Sequence, residues 1–353
     1  MIFLQILLLL VGFVLLVKGA DWFIDGAAGI AAKLKVSTFV IGLTIVALGT
    51  SAPEAATSIV GAIKGEGDII IGNVLGSNII NILLILGICS FFAQIPIEKS
   101  SKLIELPFLI IVSALFILLG VIGSTFVWWE GLILLGLYGA FMAYTIVMAT
   151  KSKSALIEDA VPQSIEQEAI VEVYDSKIKA FFAKASNKYE ELKQKVWFLI
   201  ILTIVGLALV VLGADFVVDS ATYIAGKMGI PDMVIGLTVV AFGTSLPELV
   251  TSVSAAKKGD MGIATGNIIG SNLSNLLFVG GLGFIASGGV AINVDVTTFV
   301  IDTVVSILAT LILWFFAFGK KQSLTKASGV IMIGVLAVYY VYLFLMAFGV
   351  IVL

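Results

Sequence analysis

Histidine and arginine are absent from the 353 residues of this chain, and cysteine occurs once, at Cys89. One cysteine excludes a disulfide within the chain, and without imidazole or paired thiolates no soft-metal site can be built. Any bound ion must be held by oxygen, which points to hard cations such as Na⁺, K⁺, Mg²⁺ or Ca²⁺. Charge is scarce as well: 12% of the residues are charged, about half of the roughly 25% usual in soluble domains. A net charge of −3 gives no footing for nucleic acid. The apolar segments hold no Ser/Lys or paired-Asp constellation that would supply a nucleophile and its base. The chain therefore reads as a non-enzyme without a cofactor, and nothing in it marks a protein partner.

What fills the sequence instead is apolar surface, with 60% hydrophobic residues and a mean hydropathy of +1.17. A helix needs about 20 apolar residues to cross a bilayer, and such runs recur along almost the whole length. We read spans at 2–20, 37–63, 69–92, 104–123, 126–149, 196–217, 231–256, 261–286, 297–318 and 327–352. The weak alternating segments of a membrane β-barrel do not occur. The stretch Ile2–Val17 lacks the basic start and cleavage site of a signal peptide and counts as a span.

The fold class is thus an all-α polytopic membrane protein. The charged stretch 151–195 divides it into five spans (1–150) and five more (196–353). Within that stretch the apolar residues fall at helical spacing from Ile178 to Val196, the pattern of an amphipathic helix lying on the membrane. Lysine decides the orientation. With the central loop inside, alternation also places Lys33, Lys35, Lys99, Lys102, Lys257, Lys258, Lys320, Lys321 and Lys326 inside, against Lys64 and Lys227 outside. The positive-inside rule then makes the loop cytoplasmic and both termini extracellular, in the cell membrane.

The two halves are copies. Val36–Asn81 laid on Ile230–Asn275 without a gap is identical at just over half of its positions. The repeat motif extends over 36–89 and 230–283. Five spans per unit is an odd number, so the second copy enters the membrane upside down, giving ten helices as two inverted five-helix repeats. That is a recurrent plan of secondary transporters.

Inside the repeat, GTSAPE at Gly49–Glu54 becomes GTSLPE at Gly243–Glu248. A carboxylate at that depth costs at least about 2.5–3.5 kcal/mol and marks a functional site with a cationic partner. The preceding Pro53 or Pro247 interrupts the helix and frees backbone carbonyls. Asn73, Ser77 and Asn81 then line one face of the next span, as do Asn267, Ser271 and Asn275. Gly72 and Gly76, like Gly266 and Gly270, have the spacing of close helix packing. Asp21 and Asp25, matched by Asp215 and Asp219, are expected to end their helices and sit at the interface. Two carboxylates balance one Ca²⁺ or two Na⁺. With hydroxyl, amide and carbonyl oxygens they reach the six to eight ligands that Ca²⁺ takes.

GTS-x-PE followed by GN-x-x-GSN, twice in inverted halves, resembles the repeats of the calcium/cation antiporter superfamily, in particular its prokaryotic Na⁺/Ca²⁺ exchanger branch. The resemblance implies that Glu54 and Glu248 bind both ions. It implies that Thr50, Ser51, Thr244, Ser245, Ser77 and Ser271 add oxygens, that Asn81 and Asn275 complete the set, and that Ala47 and Ala241 contribute carbonyls. Where archaeal members of that branch carry Asp in the second repeat, this chain has Asn275. Proton-coupled members carry GNA in place of GTS, so Na⁺ ranks above H⁺ as counter-ion. H⁺-coupled or K⁺-dependent exchange is the runner-up, and a cation channel stands behind both.

Overall fold

Many polar groups are buried in this protein while large apolar side chains cover its outside. Phe3, Phe315 and Val338 are 81%, 74% and 71% exposed, whereas Thr50, Ser51, Glu54, Asn78 and Glu248 are fully buried. In water each exposed Å² of apolar surface would cost about 25 cal/mol. In lipid that cost vanishes, and polar groups are driven inward to find partners.

The computed structural model describes residues 2–152, 189, 191–228, 241–319, 322–347 and 350. Eight of its helices are long and apolar enough to cross a bilayer, and one bent pair makes a ninth crossing. In chain order they are α1 (Ile2–Leu34), the bent pair α2 (Thr38–Thr50) and α3 (Ala52–Lys64), α4 (Gly67–Phe92), α5 (Ser101–Ser124) and α6 (Trp128–Ser152). The second half contributes α7 (Val196–Lys227), the short α8 (Ala241–Thr244), α9 (Leu246–Lys258), α10 (Met261–Ala286), α11 (Val296–Phe318) and α12 (Lys326–Ala347). The seventh expected span is described only from Ala241 onward. Most of the 151–195 stretch, with its amphipathic pattern, also lies outside the described residues.

Two long helices, α1 and α7, pack along most of their length. Gly12, Gly19 and Gly26 recur every seventh residue and meet Gly206, Gly213 and Thr203. A Cβ on Gly19 would stand 2.8 Å from the Gly206 carbonyl, and one on Gly206 would collide with the Phe23 nitrogen. Lipid supplies no hydrophobic drive between helices, so this contact rests on close backbone packing. The same logic holds for Gly266 and Gly270, whose missing side chains admit the Phe39 and Leu43 backbone of α2.

One expectation is corrected here. Asp21 and Asp25 do not end the first helix; α1 continues to Leu34, and α7 likewise runs past Asp215 and Asp219 to Lys227. The first pair is tolerated because lysines reach it. Lys258 lies 3.4 Å from Asp21 and 2.8 Å from Asp25, and Lys193 lies 2.9 Å from Asp25.

Two short ribbons tie the halves together at opposite ends. β1 (Ile95–Pro96) pairs antiparallel with β4 (Ser323–Leu324), and β2 (Thr125–Phe126) with β3 (Ile292–Asn293). Each joins the exit of a central helix, α4 or α10, to the hairpin between the last two helices of the other half. The β1–β4 end gathers the lysine-rich loops: Lys102 donates to Gln322 at 2.6 Å, Lys257 stacks on Phe92, and Lys33 reaches Gln194. At the β2–β3 end sit four packed rings, Phe116, Phe126, Phe284 and Phe299. Glu130 is buried here and accepts from the Val127 N–H at 2.9 Å. Asp302 accepts from the Tyr339 hydroxyl at 2.8 Å.

The glycine seam yields a stability prediction. Gly206→Leu should lower the thermal unfolding temperature of the detergent-purified protein, overpacking costing about 1–3 kcal/mol. Gly136→Leu, where an added Cβ meets nothing, should leave that temperature unchanged.

Candidate ion-binding site

Pro53 and Pro247 have no N–H to continue a helix and prefer its first turn. The chain therefore breaks at Ser51 (φ −79°, ψ 5°) and at Ser245 (φ −87°, ψ 4°), in nearly the same conformation. Between α2 and α3 the axis turns by 41°. Each break starts a new helix inside the bundle, with Glu54 or Glu248 in its first turn. The positive end of a helix dipole thus lies at each carboxylate. A serine at such a start usually caps the backbone. Neither Ser51 nor Ser245 does so, and Ser51 Oγ instead donates to Glu248 Oε1 of the other half at 3.4 Å.

Around this point the hydrogen bonds run out. Glu248 Oε1 also receives a long contact from Ser271 Oγ at 3.5 Å. Glu248 Oε2, both carboxylate oxygens of Glu54, Ser77 Oγ, Ser245 Oγ, Asn81 Oδ1 and Asn275 Oδ1 are buried without a hydrogen-bond partner. An unsatisfied buried polar atom costs about 1–3 kcal/mol, more when charged. Seven such atoms lie on the two proline-broken helices and on α4 and α10, and none of them meets a positive charge among the described residues. Among the described residues no lysine pairs with either glutamate, and no group of three or more acidic or sulfur ligands exists. When both glutamates are ionised, two negative charges lie here.

Of the other expected residues, Thr50 makes contacts across the halves. Thr50 Oγ1 lies 3.5 Å from Ser271 Oγ and 3.1 Å from both Val46 O and Asn267 Oδ1. Ala47 is buried, and its carbonyl accepts the Ser51 N–H at 3.0 Å. Thr244 is half-buried next to Ser245, and Ala241 opens α8. Asn73 and Asn267 do not join the unpaired oxygens. Asn73 donates to Glu54 O and Ser58 Oγ, both at 3.0 Å, and Asn267 donates to Ser252 Oγ at 2.9 Å. They fasten α4 to α3 and α10 to α9.

Sequence reasoning passed over Asn78 and Asn272. Asn78 Nδ2 donates to the Asn272 carbonyl at 3.1 Å, and Asn272 Nδ2 returns a bond to the Asn78 carbonyl at 3.2 Å. Their Oδ1 atoms accept in turn, from Asn275 Nδ2 and from Asn81 Nδ2, each at 3.1 Å. The four amides form one clasp where α4 crosses α10. A π-turn begins in each helix at the outer member, over Asn81–Leu86 and Asn275–Val279, an irregularity frequent at functional sites. The available signal was that the GSN triplet is identical in both copies, its asparagine included.

A helical bundle whose halves each bring a broken helix and one buried carboxylate to a shared centre has the build of a secondary ion transporter. The sequence matches the family described as sodium/calcium exchanger protein over residues 4–147 and again over 198–345. It is similar to the sodium/calcium exchanger MaX1 of Methanosarcina acetivorans, at 35% identity over 292 residues, 80% of this chain and 83% of that protein. It is also similar to the inner membrane protein YrbG of Escherichia coli strain K12, at 30% identity over 93% of each chain. Among solved structures, the sodium-calcium exchanger NCX_Mj soaked with zero Na⁺ and Ca²⁺ superposes with a TM-score of 0.76 at 29% identity, covering 97% of this chain and 100% of that one. The same exchanger soaked with 2.5 mM Na⁺ and 10 mM Sr²⁺ gives 0.75 at 30% identity, over 98% and 99%. The chain belongs to the sodium/calcium exchanger family.

Removing a charge that lacks a partner should stabilise the ion-free protein. Glu54→Gln and Glu248→Gln are therefore expected to unfold at higher temperature than the parent in chelator, and to gain less from added Ca²⁺ than the parent does. Differential scanning of the purified proteins, with and without Ca²⁺, reads both effects. Unchanged Ca²⁺ stabilisation in either variant would move the site elsewhere.

Proposed function

We propose that this protein exchanges extracellular Na⁺ for cytoplasmic Ca²⁺ by alternating access at one central site shared by the two repeats. The observation that carries the reading is the set of buried, unpartnered oxygens on Glu54, Ser77, Asn81, Ser245, Glu248 and Asn275. Ser51, Thr50, Ser271, Thr244 and the carbonyls of Ala47 and Ala241 complete the ligands. Ca²⁺ accepts such an irregular, oxygen-rich shell, whereas Mg²⁺ demands a strict octahedron and keeps its waters. Two carboxylates are neutralised by one Ca²⁺ or by two Na⁺, so the ions compete for the same charges. An empty site with two bare charges resists passage through the closed bundle, which couples the two fluxes. The lysine-rich β1–β4 end faces the cytoplasm in this reading.

Proton coupling is the competing reading, since two buried carboxylates also bind protons. Flux into proteoliposomes separates them. An imposed Na⁺ gradient should drive uphill ⁴⁵Ca²⁺ movement, while K⁺ and pH gradients of the same size should not. Ca²⁺ movement driven by the pH gradient alone would overturn the Na⁺ assignment. Ca²⁺ flux that needs no counter-ion would identify a channel.

A further inference from the structure

We propose that Asn78 and Asn272 are positioning residues: they fix which atom of Asn275 and Asn81 faces the ion. The inference rests on the ion site proposed above and names two residues that contribute no free atom to it. An amide side chain is nearly symmetric in shape, so its oxygen and its NH₂ group exchange places by a half-turn at small steric cost. One end accepts and the other donates, and only the oxygen end suits a cation. Something must hold Asn81 and Asn275 the right way round.

The clasp does so in two steps that leave no freedom. Backbone carbonyls can only accept. Asn78 and Asn272 each place one amide end on the other's backbone carbonyl, so those ends must be the NH₂ groups. Their remaining ends are then oxygens, which also only accept. Asn275 and Asn81 meet those oxygens at 3.1 Å and must present NH₂ to them. The Oδ1 atoms of Asn81 and Asn275 consequently point away from the clasp, and both are buried without a partner. Turned over, either amide would set oxygen against oxygen in the clasp and N–H donors toward the cation.

The clasp is crossed between halves. Asn78, on α4 of the first repeat, orients Asn275 of the second, and Asn272 orients Asn81. That crossing separates positioning from plain helix packing. Ca²⁺ affinity is read from the Ca²⁺-induced thermal shift and from ⁴⁵Ca²⁺ binding to the purified full-length protein. Asn78→Leu and Asn275→Ala should each weaken Ca²⁺ about tenfold, and the double variant no more than either alone, since members of one network are non-additive. Asn78→Leu combined with Asn81→Ala should instead approach a hundredfold. Asn272→Leu should mirror this, adding nothing to Asn81→Ala and multiplying with Asn275→Ala. A packing role lowers stability in chelator and leaves the crossed pattern absent, and that result overturns the inference. So does unchanged Ca²⁺ affinity in folded Asn78→Leu and Asn272→Leu. The two arms decide independently, and Asn78→Ser or Asn272→Ser replaces a leucine variant that does not fold. A parent protein that binds no Ca²⁺ would sink the proposed function; binding with multiplicative effects throughout would sink only the clasp.

Discussion

Two carboxylates in a medium that cannot solvate them set the terms for everything around them. Moving an ionised group from water into an apolar interior costs several kcal/mol even after relaxation. Glu54 and Glu248 are both fully buried, and among the described residues no lysine pairs with them. The breaks at Ser51 and Ser245, the helix starts aimed at the carboxylates and the unused serine caps are responses to that one constraint. A soluble protein would bury a salt bridge at this point. Here no salt bridge to either glutamate occurs among the described residues.

The halves share a sequence pattern but not the same electrostatics at the two ends. At one end Lys258 and Lys193 hold Asp21 and Asp25, with Ser254 donating to Asp21 at 2.9 Å. The repeat offset places Lys64, Asp215 and Asp219 at the corresponding positions of the other half. Among the described residues no salt bridge joins those three. Duplication thus supplied the same groups twice, and tertiary packing decided which set pairs.

Most of the candidate site was legible in the sequence, because depth and charge conflict visibly. A Pro-Glu pair in an apolar run, repeated with its serine and threonine neighbours, announces an oxygen-lined break without any coordinates. The length of α1 was not legible: Asp21 and Asp25 look like an end when read along the chain, and their lysines come from residues 193 and 258. The roles within the Asn73–Ser77–Asn81 stripe were equally hidden. Helical spacing puts the three on one face, but only the packing of α3 against α4 shows Asn73 spent on Glu54 O and Ser58. Asn78 fell off that stripe by one residue. The structure places it at the crossing of α4 and α10, a contact that periodicity within one helix does not predict.

Asn78 and Asn272 are copies of one another, and they bond to each other. Residues related by an approximate twofold can touch their own counterparts only beside the rotation axis, so the axis passes through this pair. A side chain placed there must be complementary to itself. Leucine satisfies that by shape alone, while aspartate and lysine repel their own image. Asparagine satisfies it with hydrogen bonds because it carries a donor and an acceptor of equal reach. In a duplicated gene, that position resists independent drift of the two copies. A change in one copy alone leaves its twin facing a partner it no longer fits, and each of them also supports a neighbour in the opposite half.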